Sequence, residues 1–168
     1  AYTVSKDAVW TGMYGANKAK IRLENGAAFT LVQNTEYPYD GRIHFTGEEI
    51  ESEQGFTLKL RIPGWASKGY VEYDGKKTVL GKADAGTYFE IEIKNPKNLD
   101  VVLDLDMEVR YTTAHNMVEE TVGQAAIERG PLVYCCEGVD VDVETLDDIW
   151  LNLNTKYKTV PAKIDGRT

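Results

Sequence analysis

The sequence has few of the residues that build metal or nucleophile sites. Its 168 residues include two cysteines, Cys135 and Cys136, and two histidines, His44 and His115, which lie far from the cysteines along the chain. Two cysteines cannot build the disulfide framework of a small secreted domain, and adjacent cysteines bond to each other only through a strained ring. We therefore expect free thiols. We expect no metal or cofactor in this chain, because it has neither a CxxC motif nor a Cys/His cluster.

Charge and hydropathy exclude two further classes of protein. The net charge is −8 and no cluster of Lys and Arg interrupts the acidic balance, whereas a nucleic-acid-binding surface needs an excess of basic residues on one face. No apolar run approaches the roughly 18 residues of a membrane-spanning helix. We predict neither nucleic acid nor membrane as a partner. The chain opens on Ala1 and closes on KIDGRT, which we interpret as a piece cut from a longer protein.

Alternation of apolar and polar residues is frequent in the sequence. This period of two residues is typical of a strand with one buried face. The longest example is LDVVLDLDMEVRY (99–111), predicted as one strand, and FTLKLRI (56–62) and YFEIEIK (88–94) repeat the pattern. Turn residues make LENGAAFTL (23–31) and VEYDGKKTVL (71–80) predicted hairpins. Helical periodicity is almost absent. The pattern predicts an all-β fold with little helix, an antiparallel β-sandwich of the jelly-roll or Greek-key kind.

The length fits about one domain with a core of its own. We expect residues 1–143 to form the β-sandwich. The last stretch, NTKYKTVPAKIDGRT, is polar and weakly patterned. We therefore expect residues 144–168 to be a C-terminal extension or the start of a following domain.

Carboxylates are frequent, but they are spaced as residues of a strand face. Pairs such as Glu90 and Glu92, or Asp104 and Asp106, lie beside each other on one face, whereas the two acids of a glycosidase face each other across a sugar. A charged strand face also hinders edge-to-edge association. His115, followed by two glutamates, is a lone acid–base candidate that is more readily explained as structural or exposed. The residues alone therefore give no catalytic, cofactor-binding or metal-binding site.

Aromatic residues supply the candidate binding surface. Tyr37 and Tyr39 flank a proline in the turn EYPYDG, and Trp65 follows Pro63 in a loop, where a large ring is costly to expose unless something covers it. Such rings form sugar-binding platforms in some sandwich domains and core or interface contacts in others. Both interpretations of Tyr37, Tyr39 and Trp65 stay open at this point.

Four stretches, in this order along the chain, carry a recognisable pattern: NTEYPYDGRIHFT (34–46), FTLKLRIPGWA (56–66), VVLDLDMEVRY (101–111) and GQAAIERGPLVYCCEGVD (123–140). Together they resemble the region after the catalytic barrel in glycoside hydrolase family 127, formerly a domain of unknown function. Its best-known members are β-L-arabinofuranosidases. The motif RGPLVYC is the most specific of the set, and the likeness runs from about Trp10 to Asp140. Glu36 and Tyr39 replace the usual Asp and Trp.

The resemblance implies a non-catalytic accessory β-sandwich, cut from a hydrolase of plant-type or other glycans, that braces an (α/α)6 barrel. In the family the barrel holds the zinc ion, the cysteine nucleophile and the general acid, so none of these roles is carried over to this chain. We expect Tyr37, Tyr39 and Trp65 to face the barrel or a glycan. A carbohydrate-binding module and a structural or self-associating module are the alternatives.

The cysteine pair lies in AAIERGPLVYCCEG (125–138), which we interpret as a strand, a break at Gly130 and Pro131, and a second strand. On a pleated strand one of two adjacent thiols points inward and the other outward, and the inward thiol behaves as a small apolar residue. The sequence shows no cation or helix N-terminus that would favour a thiolate there. We therefore predict a structural role for Cys135 and Cys136.

Overall fold

The computed structural model describes residues 2–139, 141–152 and 154–160, almost entirely as strands, turns and loops. Its strands are β1 Tyr2–Val4, β2 Ala8–Thr11, β3 Asn17–Arg22, β4 Ala28–Thr35, β5 Arg42–Ser52, β6 Phe56–Arg61, β7 Gly69–Tyr73, β8 Lys76–Leu80, β9 Tyr88–Ile93, β10 Asp100–Leu105, β11 Val109–Thr112, β12 Ala126–Arg129 and β13 Leu132–Tyr134. Short 3-10 turns occur at Lys82–Asp84, Pro96–Asn98, Glu119–Thr121 and Leu146–Asp148. No helix of the described residues is long and apolar enough to cross a membrane. The predicted all-β fold with little helix is confirmed.

The chain divides into two compact units, Ala1–Met107 (unit 1) and Glu108–Thr168 (unit 2). The division falls inside the stretch 99–111, where the prediction of a single strand is wrong: β10 ends at Leu105 and β11 begins at Val109. The two strands that pair with β10, β5 and β7, both begin beside its last residues. Asp104 pairs with the first residue of β5, and Leu105 pairs with the first residue of β7. Beyond that point β10 has no ladder to continue. The division therefore differs from the expected boundary after residue 143.

Unit 1 contains two sheets, with strand orders β1-β2-β6-β9 and β3-β4-β5-β10-β7-β8. Its pairings are antiparallel apart from β2 and β6, which run parallel with Ala8 opposite Thr57. Both predicted hairpins are confirmed as β3–β4 and β7–β8. Between β7 and β8, Asp74 and Gly75 have φ values of 51° and 71°, as a two-residue type I′ turn requires.

The inner faces of the two sheets form one hydrophobic core. Phe29 of the six-stranded sheet stacks on Phe56 of the four-stranded sheet, with ring centroids 4.6 Å apart. Alternation decides which side chains enter the core, since successive residues of a strand point to opposite faces. The largest fully buried side chains are Phe45, Leu31, Ile43, Leu58, Leu60, Ile62, Ile93, Leu103, Leu105, Gln33, Val9 and Val71.

The outer face of the six-stranded sheet carries paired charges. Lys18 contacts Glu48 at 2.6 Å and Arg22 contacts Glu51 at 2.7 Å, joining β3 to β5 across the outer surface of β4. These side chains are largely exposed, so each pair contributes little to stability. Their arrangement is typical of a sheet face that stays in contact with water.

Unit 2 is built on a three-stranded sheet of order β11-β12-β13. Strands β12 and β13 form a hairpin in which Arg129 pairs with Leu132 and Gly130 has a φ of 56°, so the predicted strand, Gly-Pro break and strand are confirmed. The prediction of one inward and one outward thiol is wrong. Strand β13 ends at Tyr134, so the pleat that would turn one thiol inward stops before the pair, and Cys135 and Cys136 are both exposed free thiols.

Candidate functional site

The loops 12–16, 36–41 and 62–68 lie at the same end of unit 1, which we call the loop end. Strand pairing brings them there: β3 begins opposite the last residues of β4, and the end of β10 lies beside the starts of β5 and β7. Tyr37 and Tyr39 lie in the second loop and Trp65 in the third. The structure therefore brings the three predicted surface residues to one end of the sandwich.

The three residues differ in exposure. Tyr39 is 73% exposed, whereas Tyr37 and Trp65 are partly buried and pack against the core. The loop position predicted for Trp65 is confirmed, and a hydrogen bond from the Ala66 N–H to the Pro63 carbonyl closes the turn around it at 3.0 Å. Trp65 is thus neither a fully buried core residue nor a bare ring.

Close backbone packing holds the loop 36–41 against the sandwich. The Leu105 N–H donates to the Gly41 carbonyl at 3.0 Å. A β-carbon built on Gly41 would lie 1.9 Å from the Leu105 carbonyl oxygen, a distance at which atoms overlap. Glycine is therefore required here by close approach of two backbones.

Tyr14 ties the loop end together, and the sequence analysis missed it. Its hydroxyl donates a hydrogen bond to the Arg61 carbonyl at the end of β6. Its ring meets the rings of Tyr37 and Phe45 edge to face, with centroids 5.7 and 6.3 Å apart. Burial raises the pKa of the Tyr14 hydroxyl well above its usual range, and a hydrogen bond with Thr11 and the Arg61 charge offset only part of that rise. A tyrosine between two glycines in GMYG was the available signal, since glycines let a loop fold around a ring.

A buried amide fixes the loop 12–16. The side chain of Gln33 is 1% exposed; its carbonyl oxygen accepts from the Gly15 N–H at 3.0 Å, and its amide donates to the Tyr2 hydroxyl at 2.7 Å. That hydroxyl donates in turn to Asn17 at 2.9 Å. Because a buried polar group left unpaired would cost about 1–3 kcal/mol, this network strongly favours one conformation of the loop.

A second group of rings lies on the outer face of the four-stranded sheet, next to the loop end. The Lys59 ammonium lies 4.2 Å from the centre of the Trp10 ring and contacts Glu90 at 2.7 Å. Tyr88 meets Trp10 at 4.9 Å with the ring planes at 78°. The ammonium covers Trp10 and the rings stand perpendicular to each other. Together these rings offer no flat platform for a sugar ring to stack on.

Unit 2 has a groove of about 550 Å³ whose lining includes Cys135, Cys136, Ile127, Leu146 and Trp150. Trp150 is 90% exposed. Throughout the described part of the chain, no group of three or more His, Cys, Asp or Glu residues is placed to hold a metal ion. Among the described residues, the cysteine pair therefore has no third ligand with which to hold a zinc ion.

Two family profiles match the chain. Residues 8–107 match the β-L-arabinofuranosidase GH127 middle domain, and residues 109–164 match the glycoside hydrolase family 127 C-terminal domain. The chain belongs to glycoside hydrolase family 127. The two matches fall on unit 1 and unit 2 respectively, and the resemblance inferred from the four sequence stretches is confirmed.

Individual relatives agree with this family. The chain is 33% identical over 119 residues to a non-reducing end β-L-arabinofuranosidase of Bifidobacterium longum subsp. longum, a match that covers 70% of the chain and 18% of that protein. A solved glycoside hydrolase is 36% identical with a TM-score of 0.73, covering 83% of the chain and 23% of its own. A GH127 β-L-arabinofuranosidase from Geobacillus stearothermophilus T6 is 32% identical with a TM-score of 0.68, covering 82% and 21%. The chain thus spans less than a quarter of each relative.

Proposed function

We propose that this chain is a non-catalytic accessory part of a family 127 glycoside hydrolase and braces the catalytic barrel through its loop end. The relatives that it resembles are β-L-arabinofuranosidases and another glycoside hydrolase, so the proposed parent enzyme acts on glycans of that class. Tyr37, Tyr39 and Trp65 form the proposed barrel-facing surface. The parent barrel, and not this chain, would carry the zinc ion and the reacting residues.

The distribution of exposed apolar side chains is the observation that carries this proposal. In unit 1, Met13 and Tyr39 of the loop end are 66% and 73% exposed, and Tyr88 beside them is 39% exposed. Partly buried Tyr37 and Trp65 extend this surface. The outer face of the six-stranded sheet, in contrast, has paired charges and a single exposed valine, Val79 on the edge strand β8. An apolar, preorganised surface favours a protein partner, because its loops lose little conformational freedom on binding.

The carbohydrate-binding alternative needs a row of exposed rings on which sugar rings can stack. The ring pairs at and beside the loop end instead meet at interplanar angles of 78° and 67°, and the Trp10 face is covered by Lys59. These contacts suit a packed surface better than a sugar platform. Self-association of the isolated chain through the same surface is an expected side effect of leaving it uncovered.

Tyr39→Ala tests the bracing role when it is made both in the isolated chain and in the enzyme that joins the chain to its barrel. In the isolated chain the free energy of unfolding should change by no more than about 0.5 kcal/mol, because the ring is exposed. In the joined enzyme the unfolding midpoint should fall, because a contact with the barrel is lost. Trp65→Ala should likewise weaken the joined enzyme more than the chain, where it should cost less than the roughly 3–5 kcal/mol of a core tryptophan.

Val79→Ala is the matched control, since Val79 is 77% exposed on β8 and lies outside the proposed surface. It should leave the midpoint unchanged in both proteins. Equal midpoints for Tyr39→Ala and Val79→Ala in the joined enzyme would contradict the bracing role.

The non-catalytic assignment is tested on the isolated chain. It should release no product from aryl L-arabinofuranosides and bind no stoichiometric zinc, so a chelator should leave its unfolding midpoint unchanged. Turnover above background that disappears on mutation of a residue within the chain would overturn this assignment.

A further inference from the structure

Arg61 has no recorded ion pair within the described part of unit 1, unlike three other arginines of the chain. Arg22, Arg42 and Arg110 have carboxylate partners at 2.7, 3.8 and 2.6 Å. Arg61 is exposed at the end of β6, and no carboxylate among the described residues of unit 1 lies within 4.0 Å of its guanidinium. Its recorded side-chain hydrogen bond, to the Gly12 carbonyl, is long at 3.5 Å. A guanidinium carries five N–H donors in a planar fork, so most of its binding capacity is unused within unit 1.

The surroundings of Arg61 are aromatic and ordered. Tyr88 lies directly opposite it in the β6–β9 ladder and therefore shares its face, and Trp10 packs against Tyr88. The Arg61 carbonyl is held by the Tyr14 hydroxyl. Burial raises the pKa of the neighbouring Tyr37 hydroxyl, and the Arg61 charge opposes that rise, which places the charge beside the loop end. Arginine beside aromatic rings is the composition enriched at the centres of protein interfaces.

We propose that Arg61 binds the carboxylate of an aspartate or glutamate on the catalytic barrel of the same polypeptide, in a two-point ion pair at the edge of the loop end. The proposal rests on the proposed bracing function and adds its electrostatic anchor. Carboxylate geometry matches the guanidinium fork with two parallel hydrogen bonds. Neutral arabinofuranosyl units have no carboxylate, so a glycan of that class does not fit the site.

The contrast with Lys59 supports this assignment. Lys59 lies two residues earlier on the same face of β6. Its charge is neutralised within unit 1 by Glu90, and its ammonium packs on the Trp10 ring. On one strand face, one cation is thus satisfied internally while the next is left for an outside partner. In a chain with a net charge of −8, an arginine without a carboxylate partner among the described residues of unit 1 is not explained by an excess of cations.

Hydrogen exchange on the enzyme that joins chain and barrel tests the anchor, using Arg61→Gln, Arg61→Lys and Arg61→Glu. Loss of the pair should raise exchange about two- to fivefold at loop-end amides and at one barrel segment that contains an acidic residue. Arg61→Glu should have the largest effect and Arg61→Lys the smallest. High salt should reduce the difference from the parent enzyme, because it screens exposed charges. Arg22→Gln, which removes a pair on the six-stranded sheet, should leave both regions unchanged.

The possible outcomes separate the two proposals. If Tyr39→Ala exposes the barrel segment and the Arg61 variants do not, bracing stands and the anchor is overturned. If neither changes exchange, both are overturned. Should the Arg61 variants leave exchange unchanged but abolish binding of a galacturonate oligosaccharide, the carboxylate belongs to a glycan and the anchor is again overturned. Restoration of protection to Arg61→Glu by a charge-reversing Asp→Arg or Glu→Arg change in the barrel segment would support it most directly.

Discussion

Units 1 and 2 contain strands of similar alternation, yet they bury very different amounts of apolar surface. Unit 1 has a continuous core that runs from Val9 to Leu105. In the described part of unit 2 no apolar side chain is buried, and Val133, Tyr134 and Trp150 are 64%, 46% and 90% exposed. The difference arises because unit 1 has a second sheet to cover the first, and a three-stranded sheet alone has little apolar area to bury. Alternation therefore determines which face of a strand is apolar, but it does not determine whether a second sheet covers that face.

The comparison implies that the stability of the chain is concentrated in unit 1. Burial of apolar surface is the dominant favourable contribution to folding, at about 25 cal/mol per Å². Changes that disturb the unit 1 core should consequently unfold the chain, and matched changes in unit 2 should be tolerated.

Gly41→Ala should have the largest effect. The added methyl would lie 1.9 Å from the Leu105 carbonyl oxygen, so one of two packed backbones must move, and we expect a loss of at least about 3 kcal/mol in the free energy of unfolding. Gly64→Ala in unit 1 and Gly138→Ala in unit 2 are controls, because nothing lies within 4 Å of either added methyl. Each should stay within about 1 kcal/mol of the parent. Urea unfolding followed by tryptophan fluorescence measures all three, and a stable Gly41→Ala would contradict the close approach.

A pair of leucine truncations sharpens the comparison between the units. Leu103 is fully buried in β10, and Leu103→Ala should cost about 2–5 kcal/mol. Leu132 is partly buried in β13, and Leu132→Ala should cost less than about 1 kcal/mol. Equal losses in urea unfolding would mean that unit 2 contributes a core of its own and that the comparison fails.

Tyr14→Phe should have a smaller effect at neutral pH than Gly41→Ala or Leu103→Ala, about 0.5–1.5 kcal/mol for the lost hydrogen bond to Arg61. Burial raises the pKa of the Tyr14 hydroxyl in the folded chain, so the unfolded chain ionises first. The stabilisation from this group is therefore complete below the unfolded pKa of about 10 and is lost as the pH rises further. Tyr14→Phe should flatten the decline in stability above about pH 10. An unchanged decline in alkaline urea titrations would exclude Tyr14 as its source.

Sequence reasoning succeeded where a structural feature is local. Asn25-Gly26 and Asp74-Gly75 identify their hairpins, because their backbone conformations depend on the residues themselves. It failed at 99–111, since Leu105, Met107 and Val109 continue the alternation although the neighbouring strands begin beside residue 105. It also missed the contacts of Tyr14 and the proposed role of Arg61, which depend on loops brought together from distant parts of the chain. Tyr37, Tyr39 and Trp65 could be selected as surface candidates because large rings in turns are unusual, but their common position required the fold.

The connectivity of unit 1 has a consequence for how it unfolds. The chain passes between the two sheets after β2, β5, β6, β8 and β9, so neither sheet is made from one continuous segment. Unfolding of one sheet would expose the inner face of the other and pull on the five connections between them, so we expect the two sheets to unfold together. We therefore expect unit 1 to unfold as one cooperative block, in which a local defect in either sheet lowers the stability of both.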